Sequence, residues 1–226
     1  MARPPSWKSL LLLGLLLILP ALPAWGRAPL APDKVLQQLV AGHDRYLRHH
    51  HRSGVLASAD RRRQVAMKQA PIAIVLTCSD SRVVPEFILD QRLGDLFVVR
   101  VAGNTLDPMV LGSMEYAADH FGTSLILVLG HKRCGAVIAA VEAEGEPEGN
   151  VGSILANIKP AVEQAKAICG AEAGPKLVDC AVEQNVRMVV KQIPEQSPLL
   201  ARLVKEGKLK IQGANYDLDD DSLTLY

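Results

Sequence analysis

Two short segments of this sequence carry side chains that together could bind and use a metal ion. Cys78, Asp80 and Arg82 follow one apolar run, and His131 and Cys134 follow another. Two cysteines and one histidine form a three-ligand set for zinc, which leaves a fourth position open for water or substrate. Because a structural zinc site usually has four protein ligands, the open position and the adjacent acidic and basic residues predict a reactive site.

The first segment is predicted to lie at the end of a buried strand. Residues 72–77 are apolar, rich in β-branched side chains and preceded by Pro71. If the chain stays extended beyond them, Cys78, Asp80 and Arg82 alternate onto one side of the strand. The thiolate, the carboxylate and the guanidinium would then face a common space.

The second segment is predicted to join a buried strand, residues 124–130, to a helix over residues 134–141. His131 and Cys134 can share one face of the first helical turn. A thiolate at a helix N-terminus is also favoured by the helix dipole. Both segments would therefore lie at the carboxyl ends of strands, where open α/β sheets bind ligands.

The remaining pattern predicts an α/β domain with a mostly parallel sheet of roughly four to five strands, flanked by helices. Additional strands are expected at residues 96–101, at residues 208–214 and, as a short edge strand, at residues 222–226. Helices are expected from Asp33, as the N-cap, to about residue 51, from Asp107 to about residue 121, and between residues 154 and 203.

The ordered set of motifs resembles the β-class carbonic anhydrase family, whose signature is C-x-D-x-R followed farther along the chain by H-x-x-C. The resemblance covers about residues 33–226, a length that suits one domain. Segments outside the signature that also resemble the family are residues 69–71, 94–104, 112–117, 130–137 and 213–218. C-x-D-x-R alone is a weak indication, whereas the ordered set is specific.

The resemblance implies an enzyme, a carbonic anhydrase, with one Zn²⁺ per chain held by Cys78, His131 and Cys134. Its expected reaction is the reversible hydration of CO₂ to bicarbonate and a proton by zinc-bound hydroxide. The family's catalytic pair matches Asp80 and Arg82, with Arg82 holding the carboxylate away from the metal and aiming it at the bound water. In some members this aspartate binds the metal and closes the site at lower pH, so Asp80 is also a candidate fourth ligand.

Four further positions are compared with the family. Gln69 matches a glutamine that hydrogen-bonds substrate, although an exposed polar residue at a helix end would give the same pattern. Gly103 is expected to present its backbone near the zinc-bound group. Val75 stands where members with a regulatory bicarbonate pocket carry tryptophan, which argues against inactivation by bicarbonate. His43 replaces a common asparagine and is expected to be solvated, without a catalytic role.

Three other functions remain open. A hydrolase of carbonyl sulfide or carbon disulfide could use the same zinc-bound hydroxide and the same residues. A non-catalytic zinc-binding protein is disfavoured by the Asp80/Arg82 pair, which stability alone would not need. A thiol redox protein that uses Cys78 and Cys134 is disfavoured because the sequence has no C-x-x-C motif.

The N-terminus has the pattern of a secretory signal peptide. Arg3 and Lys8 form a basic start, residues 10–19 are almost entirely apolar, and small residues follow before a cleavage site. The apolar run is too short for a membrane span. We therefore predict a signal peptide at residues 1–26, a zinc domain at residues 27–226 and a periplasmic or secreted protein.

The charge balance offers no case for a nucleic-acid or membrane partner. Cleavage would remove Arg3 and Lys8 from 25 basic residues and nothing from 24 acidic ones, so the mature domain is nearly neutral. The expected partners are CO₂ and bicarbonate, with no nucleic acid and no membrane after cleavage. The resemblance also implies a homodimer or homotetramer, with N-terminal helices that reach across to a second subunit.

Two further cysteines, Cys169 and Cys180, flank a break that contains glycine and proline at residues 170–175. In an oxidising compartment they could form a disulfide across a helix–helix turn. They could also be two separately buried thiols, since cysteine is often a small core residue. Both alternatives stay open from the sequence.

Overall fold

The computed structural model describes residues 30–50, 52, 56–145, 147, 149–172 and 174–226. The predicted signal peptide and its cleavage site lie outside the described residues, so the signal peptide stays a prediction. Among the described helices, none is both long enough and apolar enough to cross a membrane.

A five-stranded sheet lies at the centre of the described chain, with the strand order β2-β1-β3-β4-β5. The strands are β1 (Ala73–Thr77), β2 (Leu96–Arg100), β3 (Leu125–His131), β4 (Lys210–Tyr216) and β5 (Leu223–Leu225). β1 to β4 run parallel, and β5 is an antiparallel edge strand. The predicted α/β fold with a mostly parallel sheet is thus confirmed. β1 and β3 are buried along their whole length, and burial on both faces explains their continuous apolar sequences.

Helices cover both faces of this sheet. They are α1 (Pro32–Leu47), α2 (Ala59–Val65), α3 (Pro85–Ile88), α4 (Pro108–Phe121), α5 (Gly135–Glu142), α6 (Val151–Cys169), α7 (Pro175–Gln196) and α8 (Pro198–Lys205), with a 3₁₀ turn at Ala102–Asn104. On one face of the sheet, Ile74 packs with Met114 of α4 and Val186 of α7. On the other face, Val75 packs with Val35 of α1. The apolar side of α1 is therefore used within the chain, and a role of this helix in dimerisation stays a prediction.

The starts of two helices show how local sequence sets the element boundaries. Asp107 caps α4 by accepting a hydrogen bond from the Val110 N–H at 2.7 Å. For α1, the prediction that Asp33 is the N-cap is wrong, because Ala31 holds that position and Pro32 begins the helix. Proline suits the first helical turn, where its missing N–H leaves no helical hydrogen bond unmade.

A third apolar cluster packs α5, α6 and α7 around Cys78 and Cys134. Within this layer, Cys169 at the end of α6 and Cys180 of α7 form a disulfide, with their Cα atoms 6.6 Å apart. The structure thus selects the disulfide over two separately buried thiols. In the described part of the chain, the free cysteines are the two predicted metal ligands.

Candidate metal centre and active site

The carboxyl ends of β1 and β3 bring the three predicted metal ligands together. Cys78 directly follows β1, His131 is the last residue of β3, and Cys134 is the N-cap residue of α5. The Thr77 hydroxyl donates to the Leu129 carbonyl at 2.9 Å, which ties the two strand ends together. The ligand atoms all lie within 4.8 Å of one another, and the three side chains are buried. The predicted set therefore forms one cluster suited to a metal ion.

The imidazole of His131 is oriented by the adjacent backbone. Its Nδ1 lies 2.8 Å from the Lys132 carbonyl oxygen, so Nδ1–H is the donor and Nε2 carries the lone pair. His131 is fully buried, and its Nε2 has no hydrogen-bond partner among the described residues. Because an unpaired buried lone pair is costly, a metal ion bound at Nε2 would satisfy it.

The connection from His131 to Cys134 is a tight turn. Arg133 adopts a positive φ of 53°, and α5 begins only at Gly135. The prediction that His131 and Cys134 share a face of one helix is therefore wrong, because His131 belongs to the strand. The two ligands still converge, since the turn folds Cys134 back toward the end of β3.

The two thiols of the cluster lie 3.9 Å apart and share a hydrogen bond. This hydrogen bond lowers the pKa of Cys78 well below its usual range, and the hydrogen bond from the Gly103 N–H lowers it further. The same hydrogen bond, together with burial, raises the pKa of Cys134. One proton is thus shared between two sulfur atoms, and binding of a divalent cation would release it.

Asp80 lies beside the ligand cluster and is held there by Arg82. The Arg82 Nε donates to Asp80 Oδ1 at 2.9 Å, and its Nη2 donates to Oδ2 at 2.7 Å. The predicted bidentate pair is therefore present. Asp80 Oδ2 lies 3.8 Å from His131 Nε2. The side-chain hydrogen bonds from Arg82 hold the pKa of Asp80 well below its usual range, so the carboxylate is ionised at neutral pH.

A turn, rather than an extended strand, returns Arg82 to Asp80. The Val83 N–H donates to the Asp80 carbonyl at 3.1 Å, and the Arg82 N–H donates to Asp80 Oδ1 at 3.0 Å. The condition for the predicted alternation, a chain that stays extended as far as Arg82, is therefore not met, although the turn still brings the guanidinium of Arg82 to the carboxylate of Asp80. Aspartate favours such turns because its side chain can accept a hydrogen bond from the backbone two residues on.

Arg100 lies in the family-like segment of residues 94–104 but receives no role from the sequence, yet it fixes the backbone of this turn. Its Nε donates to the Cys78 carbonyl at 3.1 Å, and its Nη2 donates to the Asp80 carbonyl at 2.6 Å. Arg100 ends β2 and is paired in register with Thr77, the last residue of β1. The signal that could have found it is this strand pairing, which places a long cationic side chain beside the first ligand.

Gly103 brings its backbone to the cluster through the sulfur of Cys78. Its N–H donates to Cys78 Sγ at 3.3 Å. Its φ is +68°, a conformation that favours glycine, and a Cβ at this position would lie 2.6 Å from Cδ1 of Ile158. The Gly103 backbone therefore approaches the site as expected, but its partner is the sulfur of Cys78, one of the predicted metal ligands. Its contact with the zinc-bound group stays a prediction.

Gln69 lies outside the cluster in the single chain. Its side chain is exposed and lines a surface depression together with Met67, Lys68 and Tyr116. The predicted hydrogen bond from Gln69 to substrate stays a prediction.

Two other compared positions lie in the core. Val75 is fully buried in β1. His43, which was expected to be solvated, is also buried, with its Nδ1 3.0 Å from the Ile88 carbonyl oxygen. That expectation is wrong because α1 packs against α3 and turns this histidine inward.

Comparison with known proteins agrees with the geometry of the site. A family model described as carbonic anhydrase matches residues 73–223. The chain belongs to the β-carbonic anhydrase family. It is 38% identical over 202 residues to carbonic anhydrase 2 of Mycobacterium tuberculosis, covering 87% of this chain and 92% of that protein. It is 41% identical over 169 residues to the carbonic anhydrase of Mycolicibacterium smegmatis, covering 74% of this chain and 80% of that protein.

Solved structures give the same result for the fold. The chain is similar to the β-carbonic anhydrase CcaA, with a TM-score of 0.70 and 26% identity, over 85% of this chain and 88% of that chain. As a member of this family the chain is an enzyme, a β-class carbonic anhydrase. This membership argues against the non-catalytic zinc-binding protein and the thiol redox protein considered from the sequence.

Proposed function

We propose that this enzyme catalyses the reversible hydration of CO₂ to bicarbonate and a proton, with one zinc ion bound by Cys78, His131 and Cys134. The observation that carries the proposal is the buried cluster of these ligands beside the Arg82-bound carboxylate of Asp80. The mycobacterial relatives support the same reaction, since both are named carbonic anhydrases.

The three side chains fit zinc by their chemistry. Zinc is commonly bound by thiolate and imidazole, and catalytic sites combine three protein ligands with an open position. The unpaired His131 Nε2 and the hydrogen-bonded pair of Cys78 and Cys134 supply the donor atoms. When bound, zinc would supply a Lewis-acidic position that lowers the pKa of a water molecule to near neutrality.

Asp80 orients the reacting water in this proposal. Its Oδ2, the oxygen 3.8 Å from His131 Nε2, accepts a hydrogen bond from that water and directs the water oxygen toward CO₂. Arg82 keeps the carboxylate ionised and in place through donors to both of its oxygens. A closed state with Asp80 as a fourth ligand would require these hydrogen bonds to break.

Stopped-flow CO₂ hydration by the purified protein, with zinc content measured on the same sample, tests the proposal. Support would be a zinc content near one ion per chain together with hydration well above the uncatalysed rate. Full zinc occupancy without hydration would overturn it. Assays of carbonyl sulfide and carbon disulfide hydrolysis on the same sample separate the alternative hydrolase.

We also propose that the enzyme is a homodimer or homotetramer. β2 is an edge strand, and Phe97 of this strand lines an apolar surface depression with Met109 and Tyr116. Met109 and Tyr116 are 80% and 46% exposed. A second copy that covered them would remove apolar surface from water. Gln69 and Tyr116 line the same surface depression, so a second copy that covered Tyr116 would also bring Gln69 close to the partner subunit. Light scattering coupled to size exclusion measures the assembly directly.

Export to the periplasm or the medium is our proposal for localisation. The pattern of residues 1–26 supports it, and so does the disulfide between Cys169 and Cys180, since disulfides persist mainly in oxidising compartments. N-terminal sequencing of the protein from fractionated cells tests it. A cytoplasmic protein that begins at Met1 would contradict the proposal.

A further inference from the structure

We propose that Asn185 of α7 is a positioning residue for the metal centre, acting through Gly103 on the sulfur of Cys78. The inference rests on the proposed zinc site and adds a residue that is not itself one of the ligands. Asn185 lies 107 positions after Cys78 in the sequence, and no sequence motif singles it out.

The link consists of two hydrogen bonds that meet at one residue. Nδ2 of Asn185 donates to the Gly103 carbonyl oxygen at 2.8 Å. The Gly103 N–H donates to Cys78 Sγ at 3.3 Å. Asn185 thus fixes the peptide group on one side of Gly103, and the N–H on the other side points at the ligand sulfur.

Gly103 needs such a partner because its own conformation is weakly determined. It has φ +68° and ψ +17° inside the 3₁₀ turn, and the next residue, Asn104, also has a positive φ of 43°. Glycine populates positive and negative φ about equally, so the turn is not fixed by local preference. Ile158 packs against the turn from another side, since its Cδ1 lies 2.6 Å from the position that a Cβ of Gly103 would occupy.

Packing alone does not account for an amide at position 185. Asn185 is 1% exposed, and its buried neighbours along α7 include the apolar residues Ala181, Val182, Val186 and Val189. Its Oδ1 has no hydrogen-bond partner among the described residues. Because its Oδ1 is unpaired, the Asn185 amide stabilises the fold less in these apolar surroundings than a leucine of similar size would. The contact that leucine cannot make is the donation to Gly103.

Asn185 would thereby fix the direction of the hydrogen bond from the Gly103 N–H to the Cys78 thiolate before the metal binds. A donor to a thiolate ligand orients it and tunes its bond to the metal, and loss of such a contact typically costs about 10- to 100-fold in metal affinity. Because Asn185 acts through one intervening residue, Gly103, we expect its removal to weaken metal affinity by about tenfold, the lower end of this range.

The test uses the purified full chain and two readouts that do not depend on activity. Zinc affinity is measured by competition with a chromophoric chelator, and the thiolate-to-metal absorption band is recorded after substitution with Co²⁺. The variants are Asn185→Leu and, because a buried substitution can impair folding, Asn185→Ala. The matched control is Val189→Ala, which leaves a cavity on the same helix in the apolar cluster that contains Ile74 and Met114.

We expect about tenfold weaker zinc binding and a shifted Co²⁺ band in both Asn185 variants, while Val189→Ala lowers the melting temperature and leaves both readouts unchanged. Wild-type zinc affinity and an unshifted band in a folded Asn185 variant would overturn the inference. The same loss of affinity in Val189→Ala would also overturn it, because packing would then be the cause. Failure of the wild-type protein to bind zinc would instead overturn the proposed function.

Discussion

The guanidinium of Arg100 donates from Nη2 to the main-chain carbonyl of Asp80 at 2.6 Å. Arg82 binds the side chain of the same aspartate at 2.9 and 2.7 Å. Backbone and carboxylate of Asp80 are therefore both fixed before any substrate binds. In the proposed reaction, such preorganisation would lower the cost of reaching the reactive geometry, because a positioned group need not be reorganised.

Loss of the ion pair between Asp80 and Arg82 should reduce activity without removing the metal. In Asp80→Asn and Arg82→Ala we expect zinc to stay bound, because the three ligands are unchanged. Hydration should fall by roughly 10²-fold or more, the scale of a lost positioned acid–base group. Zinc content and stopped-flow rates measure both effects. Arg202→Ala is the control, since Arg202 forms an exposed pair with Glu206 away from the site; near-normal rates in both site variants would refute the role of the pair.

Alanine at Cys78, His131 or Cys134 should remove zinc and activity together. Each substitution leaves two protein ligands, fewer than the three found in catalytic zinc sites. Elemental analysis after dialysis against a chelator gives the zinc content. His120→Ala serves as the histidine control, because His120 is on the surface of α4, with 55% of its side chain exposed. Full zinc occupancy in any ligand variant would show that the assignment of that ligand is wrong.

The sequence predicts the residues of the site better than it predicts their local geometry. Cys78, His131 and Cys134 converge as expected because parallel strands bring their carboxyl ends to one edge of the sheet. The turn that returns Arg82 to Asp80 is not predicted by the sequence pattern, from which the side-chain directions follow only if the chain stays extended. The strand pattern ends at Thr77, and the hydrogen bonds that form the turn involve groups that no periodicity reports.

Contacts made across the fold are the part that the sequence does not supply. Arg100 reaches Cys78 only because β2 pairs with β1, and the strand order is not written in any one segment. Asn185 reaches Gly103 because the fold brings α7 within hydrogen-bonding distance of the 3₁₀ turn. The burial of His43 likewise depends on the packing of α1 against α3. In each case a polar residue has its role set by a neighbour that is distant in sequence.

The disulfide should stabilise the packing of α6 and α7, the helices that cluster around Cys78 and Cys134. Cys169 and Cys180 are separated by 11 positions, and closing a loop of this length reduces the entropy of the unfolded chain. We expect the double variant Cys169→Ser, Cys180→Ser to lose about 3 kcal/mol of unfolding free energy. Urea denaturation with and without reductant measures it. Reductant should destabilise the wild type and leave the double variant unchanged; equal stability of the two oxidised proteins would contradict the prediction.

Asp90 should make folding sensitive to acid. Its side chain is fully buried and lies 2.5 Å from Arg45 Nε and 3.0 Å from Arg52 Nε. Burial by itself would raise the pKa of Asp90, but hydrogen bonds from the Arg52 backbone and from both arginine side chains outweigh it and lower the pKa. Since the folded pKa lies below the unfolded value of about 3.9, the stabilisation is present above about pH 4. It is lost as pH falls through the folded pKa.

Asp90→Asn isolates this effect, because asparagine tolerates the positive φ of 44° at this position. We expect the variant to be less stable than the wild type at neutral pH and to lose less stability on acidification below pH 4. Melting temperatures measured between about pH 3 and pH 7 give the pH dependence of stability for both proteins. The same pH dependence in the wild type and the variant would mean that Asp90 does not contribute to the sensitivity to acid.

Bicarbonate should not lock this enzyme in an inactive state. Val75 is fully buried among apolar side chains that include Val35 and Leu127, and it offers no hydrogen-bond donor to an anion. Burying bicarbonate there without a partner would be strongly unfavourable. We expect activity to rise gradually from mildly acidic to alkaline pH, with no steep, bicarbonate-dependent loss. Initial rates with added bicarbonate, compared with chloride at equal ionic strength, measure this. A steep loss near neutral pH with bicarbonate alone would show that a regulatory pocket exists despite Val75.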